Sequence, residues 1–267
     1  MTTLSELMNL RGRRALITGA TGFLGRTIAD TLGELGADLL LLDRPGSNFG
    51  LLGNQLNERW HVATRSLVCD LEIEEDRMAM IADVKADGLG LNILINNAAF
   101  VGTSNLQGWV APFEEQTLDT WRRALEVNLT AAFHLCQAFT PEFRKAEGGN
   151  IINVTSIYGE YGPDWRMYEG TAMGNPAAYS ASKGGLAQLT RWLATTLAPN
   201  IRVNAISPGG VFRNQSEKFV RRYEDRTPLA RMATEDDFRG AVAFLASDLS
   251  QYVTGQILRV DGGWGEW

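Results

Sequence analysis

The chain has 267 residues, of which 45% are hydrophobic and 21% charged, with a formal net charge of −6 and a pI of about 5.1. The acidic balance argues against a broad nucleic-acid surface, no apolar stretch reaches the roughly 18 residues of a membrane span, and two histidines do not suggest a metal site. The N-terminus lacks the basic and apolar regions of a signal peptide. We therefore expect a cytoplasmic protein that acts on a small molecule.

A glycine-rich turn stands between the first predicted strand and the first predicted helix. Residues 14–18 form a short apolar run, glycines follow at positions 19, 22 and 25, and a helical pattern comes next. Such a turn lets the backbone approach a pyrophosphate, and the positive end of the helix favours its charge. The next apolar run, 37–42, is followed by Asp43, whose carboxylate is suited to an adenosine ribose. The pattern predicts dinucleotide binding.

The rest of the chain alternates strand-like and helix-like segments. Strands are predicted over 65–69, 91–95, 150–155, 201–206 and 256–260, and helical segments over 74–85, 117–145, 179–197 and 235–246. Alternation of this kind builds a parallel sheet with helices on both faces. The expected fold is α/β: a three-layer, doubly wound Rossmann fold with a seven-stranded parallel sheet, in one dinucleotide-binding and catalytic domain over residues 1–267. Ligands of such sheets bind beyond the carboxyl ends of the strands.

Tyr179 and Lys183 are four residues apart within a predicted helix, which places a phenol and an ammonium on one face. A free tyrosine has a pKa near ~10, so acting as an acid or base at neutral pH requires a shift of roughly 3 units, or about 4 kcal/mol. A neighbouring lysine can supply part of that stabilisation. The pair therefore suggests proton transfer, although this spacing alone is common on helices.

Seven elements in sequence order resemble the short-chain dehydrogenase/reductase family. They are the glycine turn, Asn-Asn-Ala-Ala at 96–99, Asn128, Ser156, Tyr179 with Lys183, Ser-Pro-Gly-Gly at 207–210, and Val-Asp-Gly-Gly at 260–263. The resemblance covers nearly the whole chain. It implies an NAD(P)-dependent oxidoreductase that interconverts a secondary alcohol and a ketone by hydride transfer.

By this resemblance the catalytic residues are Asn128, Ser156, Tyr179 and Lys183. Tyr179 exchanges a proton with the substrate oxygen as general acid or base, while Lys183 lowers the pKa of the phenol and binds the nicotinamide ribose. Ser156 hydrogen-bonds the substrate oxygen, and Asn128 extends a proton relay through water to Lys183. Without the resemblance, Ser156 would be a strand-end hydroxyl and Asn128 a helix side chain bonded to backbone.

The resemblance also assigns residues to the cofactor. They are Gly19, Thr21, Gly22, Phe23, Leu24, Gly25, Asp43, Arg44, Asp70, Leu71, Asn97, Ala98, Ala99, Tyr179, Lys183, Pro208, Gly209 and Val211, with Asn96 also expected beside the adenosine ribose. Asp43 is expected to bind the free ribose hydroxyls and to repel the extra phosphate of NADP, which favours NAD. Arg44 follows directly and is suited to a 2′-phosphate, so NADP is the alternative.

The chain departs from the usual single-domain pattern of the family in its glycine spacing, at Arg213, and in the distance between Ser156 and Tyr179 along the sequence. The glycines follow the Gly-x-x-Gly-x-x-Gly spacing of the extended, sugar-nucleotide-modifying branch, and Phe23 replaces the middle glycine. Arg213 stands near the position of a threonine that bonds the nicotinamide amide in related proteins, where its charge suits a substrate phosphate or carboxylate. The separation between Ser156 and Tyr179 is longer than usual.

The extra stretch, residues 156–178, is expected to be an active-site insertion, with a passive surface insertion as the alternative. Its tyrosines, tryptophan and arginine suit a sugar or sugar phosphate, and its sequence resembles oxidoreductases of polysaccharide and flagellin-glycan biosynthesis. We assign substrate binding to Tyr158, Arg166, Tyr168 and Arg213. Residues 212–232 correspond to the mobile substrate-covering segment of the family, unless they form a static flap.

Two other functions fit the same residues. The glycine spacing also suits an enzyme that uses tightly bound NAD to dehydrate or epimerise a nucleotide sugar, although no further substrate domain follows the last strand. A non-catalytic dinucleotide-sensing protein would keep the cofactor site without needing Tyr179. Related enzymes imply a homotetramer or homodimer, in which the tail with Trp264 and Trp267 lies at an interface or reaches a neighbouring active site.

Overall fold

All seven predicted strands are present and form one parallel sheet. The computed structural model describes residues 1–101, 106–146 and 148–267. The strands are β1 (Arg14–Thr18), β2 (Asp38–Asp43), β3 (Thr64–Val68), β4 (Ile93–Asn96), β5 (Gly149–Val154), β6 (Ile201–Pro208) and β7 (Ile257–Val260). Their order is β3-β2-β1-β4-β5-β6-β7, and each neighbouring pair is parallel. The predicted doubly wound α/β fold is confirmed.

Helices connect these strands. They are α1 (Leu4–Met8), α2 (Phe23–Glu34), α3 (Gly50–Trp60), α4 (Glu74–Ala86), α5 (Leu118–Leu125), α6 (Ala131–Lys145), α7 (Ala177–Leu197), α8 (Glu217–Arg226) and α9 (Arg239–Ala246). Among the described helices, side-chain caps start three: Thr3 accepts from the Glu6 amide before α1, Thr117 from the Thr120 amide before α5, and Ser216 from the Phe219 amide before α8. Within the described ranges, no helix is long and apolar enough to cross a membrane.

Two apolar cores lie on opposite faces of the sheet. Adjacent strand residues point to opposite faces, so in β1 Ile17 packs with side chains of α2, α3 and α9, whereas Leu16 packs with those of α4, α6 and α7. Both side chains are fully buried, and burying each one stabilises the fold by about 1.5–3 kcal/mol. The arrangement gives the three layers expected from the sequence.

The glycine turn lies where the strand order reverses. β1 has β2 on one side and β4 on the other, and a crevice forms at such a point beyond the carboxyl ends of the strands. Gly19 follows β1 with a φ of +65°. It packs so close to the loop after β4 that a Cβ would lie 2.9 Å from the Ala98 Cα. A side chain at Gly19 would therefore separate the two loops that border the crevice.

A third, smaller cluster joins the insertion, α8 and the C-terminal tail. Tyr168 of the insertion, Tyr223 of α8 and Trp264 of the tail are buried in this cluster. Arg226 covers the Trp264 ring, with its Cζ 4.3 Å from the ring centroid. The expectation that Trp264 serves a subunit interface is therefore wrong, because its own chain covers it and leaves it 1% exposed. Trp267 is exposed.

Candidate active site

The glycine turn leaves the start of α2 open toward the crevice. Gly22 is the N-cap of α2, and no side chain in the described parts of the chain caps it. Gly25 packs under the turn, where a Cβ would lie 2.0 Å from the Gly19 carbonyl oxygen. Phe23, in the place of the middle glycine, turns outward and is 68% exposed. The helix start can therefore approach a phosphate closely, as the sequence predicts.

Asp43, at the end of β2, is tied to the glycine turn. One carboxylate oxygen accepts from the Thr21 amide at 2.9 Å and from the Thr21 hydroxyl at 2.7 Å. The other accepts from the Arg44 amide at 2.9 Å and from the Ser47 hydroxyl at 3.1 Å. A carboxylate has about four acceptor positions, so these donors fill them. Binding a ribose hydroxyl would require Thr21 or Ser47 to release its hydroxyl contact.

A cleft of about 1130 Å³ begins at the glycine turn. It is larger than the roughly 300–1,000 Å³ of most small-molecule sites, and with the open helix start it fits a dinucleotide. The predicted cofactor residues that line it are Gly19, Thr21, Gly22, Phe23, Leu24, Gly25, Asp43, Arg44, Asp70, Leu71, Asn97, Ala98 and Ala99. The predicted residues outside its lining are Tyr179, Lys183, Pro208, Gly209 and Val211. The segment after β6 instead contributes Phe212, Arg213 and Asn214.

Two neighbouring asparagines, the last residue of β4 and the first residue after it, have different roles. Asn97 lines the cleft, and its side-chain amide donates to the Thr18 and Gly19 carbonyl oxygens at 2.9 and 3.2 Å. Asn96 is buried and donates to the Asn153 side chain on β5 at 2.8 Å. The expectation that Asn96 lies beside the ribose is therefore wrong, since consecutive strand residues point to opposite faces. Asn97 fixes the loop against the glycine turn.

Asn128 lies in a π-turn that interrupts the predicted helical segment. α5 ends at Leu125, the π-turn covers Glu126–Thr130 and α6 follows. Wide turns of this kind are rare and are frequent at functional sites. The Asn128 side chain is buried. Its Oδ1 accepts from the Phe100 amide at 2.6 Å and its Nδ2 donates to the Ser182 hydroxyl at 2.9 Å, so it joins the loop after β4 to α7.

Ser156, Tyr179 and Lys183 meet where β5 ends against α7. The Ser156 hydroxyl accepts from the Tyr158 amide at 3.2 Å and also interacts with the Tyr179 phenol. Lys183 is 2% exposed. Its Nζ donates to the Val154 carbonyl oxygen at 2.7 Å and lies 5.9 Å from the Tyr179 ring centroid. The structure thus brings the phenol, the ammonium and the serine hydroxyl together.

Burial shifts the Tyr179 phenol and the Lys183 ammonium toward their neutral forms. It lowers the pKa of the Lys183 ammonium to about 8. It also raises the pKa of the Tyr179 phenol, and the hydrogen bond with Ser156 opposes that rise only in part. Loss of water around a phenolate outweighs the hydrogen bond, and the lowering of the phenol pKa by Lys183 that the resemblance implies stays a prediction. At neutral pH Tyr179 therefore carries a proton that it can donate.

The four predicted substrate residues do not lie together. Tyr158 and Tyr168 are neighbours, with their hydroxyl oxygens 2.5 Å apart, and burial raises the pKa of both phenols. The Arg166 guanidinium is bound by Asp164 at the surface, and its side chain is 80% exposed. Arg213 lines the cleft instead. The tyrosine pair is thus the part of this set that lies in the insertion core, near Ser156.

A family model described as enoyl-(acyl carrier protein) reductase matches residues 19–265. The chain belongs to the short-chain dehydrogenase/reductase family. This assignment confirms the resemblance stated from the motifs, and it makes the protein an oxidoreductase.

Similar proteins cover almost the whole of this short-chain dehydrogenase/reductase. Post-translational flagellin modification protein A of Campylobacter coli is 30% identical over 257 residues, 96% of this chain and 99% of that one. The structure of a gluconate 5-dehydrogenase from Burkholderia cenocepacia J2315, in complex with NADP and tartrate, has a TM-score of 0.86 and 29% identity over 99% of this chain and 100% of that one. The structure of a short-chain dehydrogenase from Leptospira borgpetersenii with bound NAD⁺ has a TM-score of 0.83 and 32% identity, and the match covers 99% of this chain and 96% of that one.

The cleft of this short-chain dehydrogenase/reductase also contains residues that sequence reasoning did not single out. They are Leu42, Ser47, Cys69, Glu72, Phe100, Val101, Leu106, Arg123, Val127, Phe212, Asn214 and Glu235. Leu42 and Cys69 end predicted strands, and Ser47, Glu72, Phe100 and Phe212 lie within six residues of a strand end, which was the available signal for finding them. Phe100, Leu106 and Tyr179 pack against the same buried cluster, which contains Trp109, Ala124 and Ala178. The described part of the loop after β4 therefore lines the cleft and shares an apolar cluster with Tyr179.

Proposed function

We propose that the enzyme interconverts a secondary alcohol and a ketone with a nicotinamide dinucleotide, using Tyr179 as the general acid or base. The meeting of Tyr179, Lys183 and Ser156 near a dinucleotide-sized cleft is the observation that carries this proposal. The solved relatives with NADP and with NAD⁺ support a nicotinamide cofactor. The residues that line the cleft would hold it, together with Lys183 at the nicotinamide ribose.

Each catalytic side chain has a defined task in this proposal. Tyr179 donates its phenolic proton to the substrate oxygen in ketone reduction and takes a proton back in alcohol oxidation. Ser156 hydrogen-bonds the same oxygen and holds it toward the phenol. The charge of Lys183 offsets negative charge that develops on Tyr179, and Asn128 is the proposed start of a water relay to Lys183. The bound nicotinamide supplies the hydride in reduction and accepts it in oxidation.

NAD is the cofactor we favour. Asp43 already accepts hydroxyl donors from Thr21 and Ser47, and it would accept ribose hydroxyls in the same way while repelling a 2′-phosphate. Arg44 argues in the opposite direction, because a guanidinium suits that phosphate. The relatives support either choice, since one holds NADP and another NAD⁺. The acceptor role of Asp43 decides our preference.

The substrate we propose is a sugar or a sugar phosphate. The hydroxyl pair of Tyr158 and Tyr168 offers both donors and acceptors to a polyhydroxylated ligand. Arg166 would contact a substrate phosphate after release from Asp164. The similarity to a gluconate 5-dehydrogenase and to a flagellin modification protein supports a carbohydrate substrate and the expected subfamily. Residues 212–232 remain the proposed cover of the substrate.

We further propose that residues 1–267 act as one domain and that the protein forms a homodimer or homotetramer. Trp121 on α5, Phe133 on α6 and Trp192 on α7 are exposed. Large apolar side chains exposed on several helices are typical of interfaces. The expected cytoplasmic location stays a prediction.

Turnover assays test the proposed reaction. The purified protein would be mixed with NAD⁺ or NADP⁺ and with sugars, sugar phosphates and polyols, and the absorbance of the reduced nicotinamide would be followed. Reduction of the cofactor by a sugar or sugar phosphate would support the proposal. Conversion of a nucleotide sugar without net cofactor reduction would instead support the dehydratase or epimerase that the glycine spacing suggests. Cofactor binding without conversion of any compound would support a dinucleotide sensor.

A further inference from the structure

Two departures from the family sequence pattern meet at the cofactor cleft. Phe23 stands where single-domain members have a glycine, and Arg213 stands near the position of a threonine. The Arg213 guanidinium is stacked on the Phe23 ring, with its Cζ 4.4 Å from the ring centroid. Phe23 is the first residue of α2, and Arg213 follows β6. The pair therefore bridges two walls of a cleft that both residues line.

The other contacts of the Arg213 guanidinium contribute little to stability. Its guanidinium forms an ion pair with Glu235, with 2.6 Å between the nitrogen and the carboxylate oxygen, and donates to the Phe212 carbonyl oxygen at 2.8 Å. The side chains of Arg213 and Glu235 are each 29% exposed, and ion pairs open to solvent contribute little to stability. The guanidinium can therefore exchange Glu235 for a stronger anion while the fold stays intact.

The chemistry of this position suits a diphosphate. The start of α2 presents amide groups and the positive end of its dipole beside Phe23. A guanidinium adds a planar fork that binds two phosphate oxygens at once. Two other arginines among the described residues line the cleft: Arg44 follows β2 at the ribose end, and Arg123 is paired with Glu72. Arg213 is the cleft arginine that contacts the helix start.

We propose that Arg213 is a pyrophosphate-binding residue, oriented by its stack on Phe23. The aromatic ring restricts the guanidinium to the mouth of the cleft, at the end of the helix that attracts phosphate. When the dinucleotide binds, the guanidinium exchanges Glu235 for phosphate oxygens. This assignment rests on the proposed dinucleotide function, and it replaces the substrate contact that the sequence suggested for Arg213.

Equilibrium binding of NADH and of ADP-ribose tests the assignment, by nicotinamide fluorescence for the first ligand and calorimetry for both. ADP-ribose keeps the pyrophosphate and lacks the nicotinamide. Arg213→Ala is expected to weaken both ligands by a similar factor of about 10 to 100, because a charge-assisted hydrogen bond to phosphate is lost. Arg213→Lys keeps the charge but loses the planar fork, so its affinity is expected to lie between those of the wild type and Arg213→Ala.

Further variants separate the role of Phe23 from general effects. Phe23→Ala is expected to weaken NADH binding about two- to fivefold, the size of an exposed cation–π contact. It should add nothing in the Arg213→Ala background, since Phe23 acts through Arg213. Arg59→Ala is the matched control, because it removes an exposed α3 arginine outside the cleft that also pairs with a carboxylate, Asp30, and stacks on an aromatic ring, Trp60, and it should bind both ligands normally. Thermal unfolding of each variant shows whether the fold is kept.

Unchanged binding of both ligands in Arg213→Ala overturns the assignment. Weaker NADH binding with normal ADP-ribose binding also overturns it and places Arg213 at the nicotinamide. A raised KM for the substrate with unchanged cofactor binding overturns it in favour of a substrate contact. A wild-type protein that binds neither NADH nor ADP-ribose would contradict the proposed function itself, and the assignment with it.

Discussion

Replacing Lys183 by methionine is expected to stabilise the protein while removing its proposed chemistry. The ammonium is 2% exposed and donates to the Val154 carbonyl oxygen. Burial lowers its pKa from 10.5 to about 8, which corresponds to about 3 kcal/mol of cost for the charged form. Methionine carries no charge, and it loses a hydrogen bond worth about 1 kcal/mol. The Lys183→Met variant should therefore be more stable than the wild type at neutral pH by about 2 kcal/mol.

This gain depends on pH in a defined direction. Below about pH 8 the lysine is charged in both the folded and the unfolded protein, so the full cost of burying the charge is present. Between about 8 and 10.5 the folded lysine is neutral while the unfolded lysine still binds a proton, so the stability of the wild type rises with pH. The stability advantage of Lys183→Met should shrink across this window.

Urea unfolding of both proteins from neutral pH to about pH 9.5 measures the difference in unfolding free energy. Lys145, whose side chain is 73% exposed on α6, provides the matched control. Lys145→Met should show no stability difference that changes with pH. Equal stability of Lys183→Met and the wild type, or an advantage that stays constant as pH rises, would refute the buried charge as its cause.

Two further substitutions test the cofactor site. Asp43→Ala should weaken NAD⁺ binding about tenfold or more relative to NADP⁺ binding, since the variant has no carboxylate to accept the ribose hydroxyls. The dissociation constants of both cofactors measure this effect. An unchanged ratio of the two constants would show that Asp43 does not select the cofactor. Gly25→Ala should cost about 1–3 kcal/mol of stability and lose NADH binding, because a Cβ would lie 2.0 Å from the Gly19 carbonyl oxygen. Gly240→Ala, where a Cβ meets nothing within 4 Å, is its control, and equal melting temperatures for the two variants would contradict the steric argument.

The sheet could be predicted because its strands are short apolar runs that alternate with helices. The predicted strand over 150–155, for example, is β5 at Gly149–Val154. α3 was not predicted, because its N-cap position is Phe49, which provides no side-chain cap to mark a helix start. The π-turn around Asn128 was also missed. Its local sequence suits an ordinary helix, and the Asn128 side chain is bonded to groups distant in sequence.

The walls of the cleft could be predicted better than the directions of its side chains. The order of the motifs along the sequence shows which strand each residue follows. This was enough to predict that the glycine turn, Asp43 and Asn97 line one cleft. Whether a charged side chain faces that cleft depends on partners that no local pattern reveals. Arg166 is bound by Asp164, and Arg213 lies against Phe23. The first partnership forms within the insertion and the second joins the segment after β6 to the start of α2, so neither follows from a periodic pattern.

The central claim is that Tyr179 transfers the proton, and Tyr179→Phe tests it most directly. The substitution removes the transferable proton and keeps the ring, so turnover with the best substrate should fall about 10²- to 10⁴-fold. NADH affinity should stay almost unchanged, since the cofactor walls do not depend on the phenol oxygen. Turnover close to that of the wild type, in a variant that binds NADH normally, would contradict the claim.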